Sequence, residues 1–154
     1  MSKVKLYIAR HGKTMFNTIG RVQGWSDSPL TPFGEEGIRE LGVGLKAAGI
    51  PFKSAYSSDS GRTIQTMDII LRETGLETIP YKRDKRIREW CFGSFDGGYD
   101  GEFFYGVLPR TAAFQGKNIH DVTYPELAQS ILDVDTAGWL PSTSYPSAIS
   151  RVWS

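Results

Sequence analysis

Val4-Lys5-Leu6-Tyr7-Ile8-Ala9-Arg10-His11-Gly12-Lys13-Thr14 is an apolar, β-prone run that ends in residues of a different kind. Residues 3–9 alternate and then turn apolar, which predicts a buried strand. A strand ending in Arg-His-Gly sets an imidazole and a guanidinium together at a sheet end. Imidazole can act as a nucleophile, and guanidinium matches the geometry of phosphate oxygens.

Outward from that run, the chain reads as alternating strands and helices. Residues 20–30 are rich in Gly, Ser, Asp and Pro and predict a loop. Thr31-Pro32 marks a helix start, with Thr31 as N-cap and Pro32 at the first helical position. Ile38, Leu41, Leu45 and Ala48 then share one face, and Gly49 suits the C-terminal cap. Residues 53–57 predict a second strand. A second helix follows, with Ile64, Met67, Ile70 and Leu71 as its apolar face and Gly75 at its end. Residues 78–81 predict a third strand. This order implies an α/β fold with a mostly parallel sheet and three α/β/α layers. Residues 91–118, Gly- and aromatic-rich, predict an irregular excursion whose aromatics mainly pack it. Residues 125–133 predict a short helix. Residues 1–137 are expected to form one catalytic domain, and 138–154, rich in Ser, an atypical tail.

Length and composition bound the function. A chain of 154 residues predicts one domain with a sizeable core. A formal net charge of +1 argues against nucleic acid or a membrane surface as the main partner. Cys91 is the single cysteine, so no disulfide framework or multi-cysteine metal site is expected. With no long apolar run, the expectation is a soluble cytoplasmic protein.

Two further residues make the opening motif specific. Arg62 falls at the start of the second helix, where free backbone N–H groups favour an anion and a guanidinium adds a two-pronged grip. Glu89 follows the third strand in Arg88-Glu89-Trp90-Cys91-Phe92-Gly93. A carboxyl between aromatic and apolar walls is expected to have a raised pKa, as a general acid needs. Asn17 and the loop Gln23-Gly24 can supply neutral donors. Ligands of parallel α/β sheets gather at the carboxyl ends of strands, and His11, Arg62 and Glu89 all fall just past such ends.

With Asp27-Ser28-Pro29-Leu30-Thr31, Gly34, Tyr56-Ser57-Ser58 and Thr63 added to these motifs, residues 3–100 resemble the histidine phosphatase superfamily, in its phosphoglycerate mutase-like branch. The resemblance implies that His11 attacks a phosphate monoester in line and forms a phosphohistidine, with no metal or other cofactor. Arg10 and Arg62 would hold the phosphoryl oxygens, helped by Asn17 and the Gly24 backbone. Glu89 would protonate the leaving oxygen and then accept a proton from water. The family's mutases carry Tyr-Gly, then a Lys and an Arg pair. This chain has Phe92-Gly93, Asp100 where that Lys would fall, and no adjacent Arg pair in residues 100–120. The expectation is therefore a phosphoric monoester hydrolase acting on a small phosphorylated substrate. A non-catalytic phosphate-binding module or an inactive fragment is the alternative, with phosphoglycerate mutase behind both.

The family's second histidine, in a Ser-His-Gly-like turn after a later strand, has no counterpart. His120, the other histidine, lacks that context and reads as a solvated loop residue. The composition after Ala137 suggests a truncated or altered C-terminus. Loss of one preorganised donor predicts a rate lower by about 10²–10³. A sheet lacking a flanking strand would present an exposed edge, through which the chain is expected to pair as a homo-oligomer or be covered by its tail.

Overall fold

A computed structural model describes residues 4–136 and Gly138. The tail expected at 138–154 lies, but for Gly138, outside the described residues. The elements are α1 (Met15–Ile19), α2 (Pro32–Ala47), β1 (Ala55–Ser57), α3 (Gly61–Thr74), β2 (Tyr81–Arg83) and α4 (Tyr124–Val134). Short 3₁₀ turns and one π-helical turn lie between β2 and α4. The class is α/β.

β1 and β2 pair in parallel, Ala55 opposite Tyr81 and Ser57 opposite Arg83, with α3 as the crossover. β2 begins later than the 78–81 reading. Pro80 has no N–H to give to a ladder, but its carbonyl still accepts the Ala55 N–H at 2.9 Å.

The first predicted strand is corrected. Residues 4–10 form no ladder with any described strand. Val4, Leu6 and Ile8 are 90%, 79% and 85% exposed. Apolar alternation reports willingness to pair, but a ladder needs a neighbour. Among the described residues β1 and β2 satisfy only each other. Tyr7 nonetheless packs edge-on against Phe52, which brings the run beside the approach to β1.

α2 starts as its sequence dictates. The Thr31 side chain accepts from Gly34 N–H at 3.0 Å, and Pro32 opens the helix. Its buried stripe differs from the predicted one: Ile38 is buried, whereas Leu41 and Ala48 are exposed and Gly34 and Gly42 take buried positions. The helix terminates at Ala48, with Gly49 one position beyond the cap in the left-handed region. α3 starts from an N-cap at Ser60 and ends at Gly75, φ 72°, the end that the sequence predicts. α2 and α3 share a core of Leu30, Ile38, Ile69 and Ile70.

A second core forms where an irregular excursion was expected. Val22, Phe103, Leu108, Phe114 and Ile131 are buried together, with Trp90, Phe92 and Phe95 against them. The Phe103 ring lies 5.0–5.6 Å from those of Phe92, Phe95 and Phe104. Side chains of this size bury enough apolar surface to order a segment with little regular backbone. α4 closes this core with Ile131, Leu127 and Val134, and Glu126 reaches back to accept the Thr123 N–H at 2.9 Å.

Candidate active site

The turn bearing His11 is held from three sides. Gly12 N–H donates to Thr66 Oγ1 of α3 at 3.1 Å. Lys13 carbonyl accepts from Thr31 N–H at 2.8 Å and from the Thr31 hydroxyl at 3.1 Å. Gly34 permits this contact, since a Cβ there would lie 2.1 Å from Lys13 O. Thr14, fully buried, donates its hydroxyl to Gln23 Oε1 at 2.6 Å.

His11 itself is half-buried. Its Nδ1 lies 2.8 Å from Gly12 O. A carbonyl can only accept, so Nδ1 carries the proton and Nε2 keeps its lone pair in the neutral ring. Burial is the main cause that pushes the His11 pKa below 6.5; the Gly12 bond opposes it, the Arg62 and Arg10 charges add to it, and the Glu89 charge opposes it. Two remote residues, Arg62 and Glu89, and the adjacent Arg10 therefore bring charge to bear on one ring.

Arg62 is only 2% exposed. Its Nη1 donates to Ser26 O at 3.1 Å and Asp27 Oδ1 at 3.0 Å, and its Nη2 donates to Gly24 O at 2.9 Å. Both prongs of the expected fork are thus committed to the loop 24–27. Gly24 is corrected in the same way. Its N–H donates to Asp96 Oδ1 at 2.9 Å rather than standing free for an anion. A Cβ there would lie 2.0 Å from Trp90 O, so only glycine fits.

Asn17 is the third residue of α1, and its Oδ1 accepts the Thr14 N–H at 3.1 Å while its own N–H donates to Thr14 Oγ1. This cap leaves Nδ2 as the donor it can offer. Arg10 is exposed. Glu89 is exposed too, and its Oε1 accepts the Trp90 N–H at 3.0 Å. The apolar walls expected around it are absent. His120 is exposed, in the turn Ile119–Asp121.

Two buried side-chain atoms among the described residues have no partner: Arg62 Nε and Gln23 Nε2. Buried donors are costly to leave unmade. Both belong to residues singled out from the sequence as anion ligands.

Sequence reasoning missed Asp96. Its Oδ1 accepts from Gly24 N–H, Ser26 N–H at 3.0 Å and Ser26 Oγ at 2.9 Å, and its Oδ2 from Phe92 N–H at 2.8 Å. One carboxylate thus ties the loop beside Arg62 to the segment beyond Glu89. Asp27, quoted only as part of a motif, is the ion-pair partner of Arg62. No group of three or more His, Cys, Asp or Glu able to hold a metal ion occurs among the described residues. A concavity of about 360 Å³ beside Val107, Arg110 and Asp133 contains none of the site residues. No described helix is long and apolar enough to cross a membrane.

Fold and site together describe an α/β protein with a half-buried histidine in a turn held by α2 and α3. The model of the histidine phosphatase superfamily (branch 1) matches residues 6–135, and the chain belongs to that family. It is 40% identical over 92 residues to the 2,3-bisphosphoglycerate-dependent phosphoglycerate mutase of Thermobifida fusca, covering 60% of this chain and 37% of that protein. The corresponding enzyme of Wigglesworthia glossinidia brevipalpis is 34% identical over 69% of this chain and 46% of its own. The crystal structure of phosphoglycerate mutase from Bacillus anthracis superposes with a TM-score of 0.72 at 36% identity, over 81% of this chain and 54% of that one. YhfR of Bacillus stearothermophilus gives 0.55 at 33% identity, over 80% and 65%. The chain thus spans less than half the length of these curated relatives.

Proposed function

We propose that this site hydrolyses phosphoric monoesters through a phosphohistidine on His11. The observation that carries the reading is the His11 ring, presenting Nε2 in the combined field of Arg62, Arg10 and Glu89. The lowered pKa keeps the imidazole neutral near pH 7, as an attacking nitrogen requires. Nε2 forms the N–P bond as the ester P–O bond breaks, and the leaving oxygen takes the proton of Glu89. Water then attacks phosphorus, Glu89 accepts its proton, and the N–P bond breaks to release phosphate. Arg10, Arg62 Nε, Gln23 Nε2 and Asn17 Nδ2 offset the charge on the transferring group.

Asp100 supports hydrolysis over mutation. Its N–H donates to Gly20 O at 3.0 Å, which fixes an acid beside the end of α1. By the resemblance, Asp100 stands where the family's mutases carry a Lys, and an acid would not hold the carboxylate that a phosphoglycerate would bring. The mutases among the relatives are named for a transfer that this feature disfavours.

Incubation with an aryl phosphate followed by mass spectrometry tests the reading. An acid-labile adduct on His11, absent in His11→Asn, is expected. Phosphate binding with no adduct would leave a non-catalytic phosphate-binding module instead.

A further inference from the structure

Arg88 has no part in the chemistry just described, yet it touches the segments that do. Its Nε donates to Asp59 Oδ1 at 2.5 Å and its Nη2 to Asp59 Oδ2 at 2.6 Å. The same guanidinium lies 5.0 Å from the centre of the Trp25 ring. Each contact leads to a different part of the site. Trp25 follows Gly24, whose carbonyl holds Arg62. Asp59 precedes Ser60, the N-cap of the helix that carries Arg62 in its first turn. Arg88 itself precedes Glu89.

We infer that Arg88 is a positioning residue, whose fork on Asp59 and stack on Trp25 fix the backbone at 88–90 so that the Glu89 carboxyl faces His11. The inference rests on Glu89 being the group that serves the leaving oxygen. Glu89 needs such help, because it is exposed and its carboxylate bonds the N–H of its own neighbour. That local bond does not set its direction towards His11. Exposed ion pairs contribute little to stability, and this pair is about one-third exposed on both sides, so holding the fold together is a poor explanation for it. A bidentate fork with a stacked face also requires arginine rather than lysine.

The test uses the full chain with Arg88→Gln, Arg88→Lys, Glu89→Gln and the Arg88→Gln/Glu89→Gln double variant. An alkyl phosphate needs acid assistance to leave, whereas p-nitrophenyl phosphate does not. Arg88→Gln should slow the alkyl ester by about tenfold or more and the aryl ester by under about threefold. Arg88→Lys should behave the same way, and the double variant should be no worse than Glu89→Gln. Equal loss on both esters, or additive losses in the double variant, would overturn the inference.

A second arm needs no turnover. The His11 pKa is followed by NMR, with exposed His120 as reference. Glu89 raises it, so a displaced Glu89 lowers it, whereas simple removal of a nearby positive charge raises it. Arg88→Gln should lower the His11 pKa to the value in Glu89→Gln. A rise, or no change, would overturn the inference. If the wild type hydrolyses neither ester, the hydrolase reading falls, and the NMR arm still decides the role of Arg88.

Discussion

Replacing Asp96 by alanine removes four acceptor contacts at once: those to Gly24 N–H, Ser26 N–H, Ser26 Oγ and Phe92 N–H. Gly24 is buried, while Ser26 and Phe92 are half-buried. A stranded buried donor costs about 1–3 kcal/mol. With Gly24 over that full range and the other two amides at its low end, the loss is about 3–5 kcal/mol. For a chain of this size that lowers Tm by about 6–20 °C. Asp96→Asn should fall between alanine and wild type, because its oxygen can still accept from the 24–26 loop while its NH₂ meets a donor at Phe92. Urea unfolding followed by tryptophan fluorescence reads the change in midpoint. Arg62 should loosen with the loop, since Gly24 O and Ser26 O are two of its acceptors. An Asp96→Ala protein within about 0.5 kcal/mol of wild type would mean that Asp96 does not hold these donors, because that is the size expected of an ordinary surface change.

Phe103→Ala should cost about 3–5 kcal/mol, read by the same unfolding curves, since Phe103 is buried at the centre of the second core. Gly24→Ala should abolish anion binding, measured calorimetrically with inorganic phosphate, because its Cβ would meet the Trp90 carbonyl at 2.0 Å. His11 gives a pH dependence. Its folded pKa is depressed below 6.5, chiefly by burial. The unfolded chain therefore takes up this proton first, and stability is lost as pH falls below 6.5 and is unaffected above. His11→Asn should flatten the slope of unfolding free energy between about pH 7 and pH 5.5, and an equal slope in both proteins would contradict the placement of the ring.

Local signals proved readable where the physics is local. Thr31-Pro32 and Gly75 punctuate α2 and α3 because a cap, a fixed φ and a left-handed residue act within one turn. The rule that ligands gather past strand ends selected His11, Arg62 and Glu89 as candidate companions, although the run before His11 joins no ladder among the described residues. What escaped depends on partners far along the chain. Asp96 looks like any loop acid until its bonds to Gly24 and Ser26 are seen. The commitment of Arg62 to Gly24, Ser26 and Asp27 cannot be read from a helix start. Residues 4–8 carry every local mark of a strand, but a ladder depends on a neighbour that local pattern cannot reveal. Phe103 and Leu108 order their segment through side-chain packing, which leaves no backbone period to detect.

In the proposed site His11, Arg62 and Glu89 surround one phosphoryl group. A crystal structure with orthovanadate tests it directly. Vanadium should bind His11 Nε2, with its oxygens bonded to the two presently unpartnered donors, Arg62 Nε and Gln23 Nε2, and with the Glu89 carboxyl on the opposite, leaving-group side. Vanadate bound elsewhere, or at His11 with Arg62 still turned wholly into the 24–27 loop and Glu89 remote, would show that these residues do not form one site.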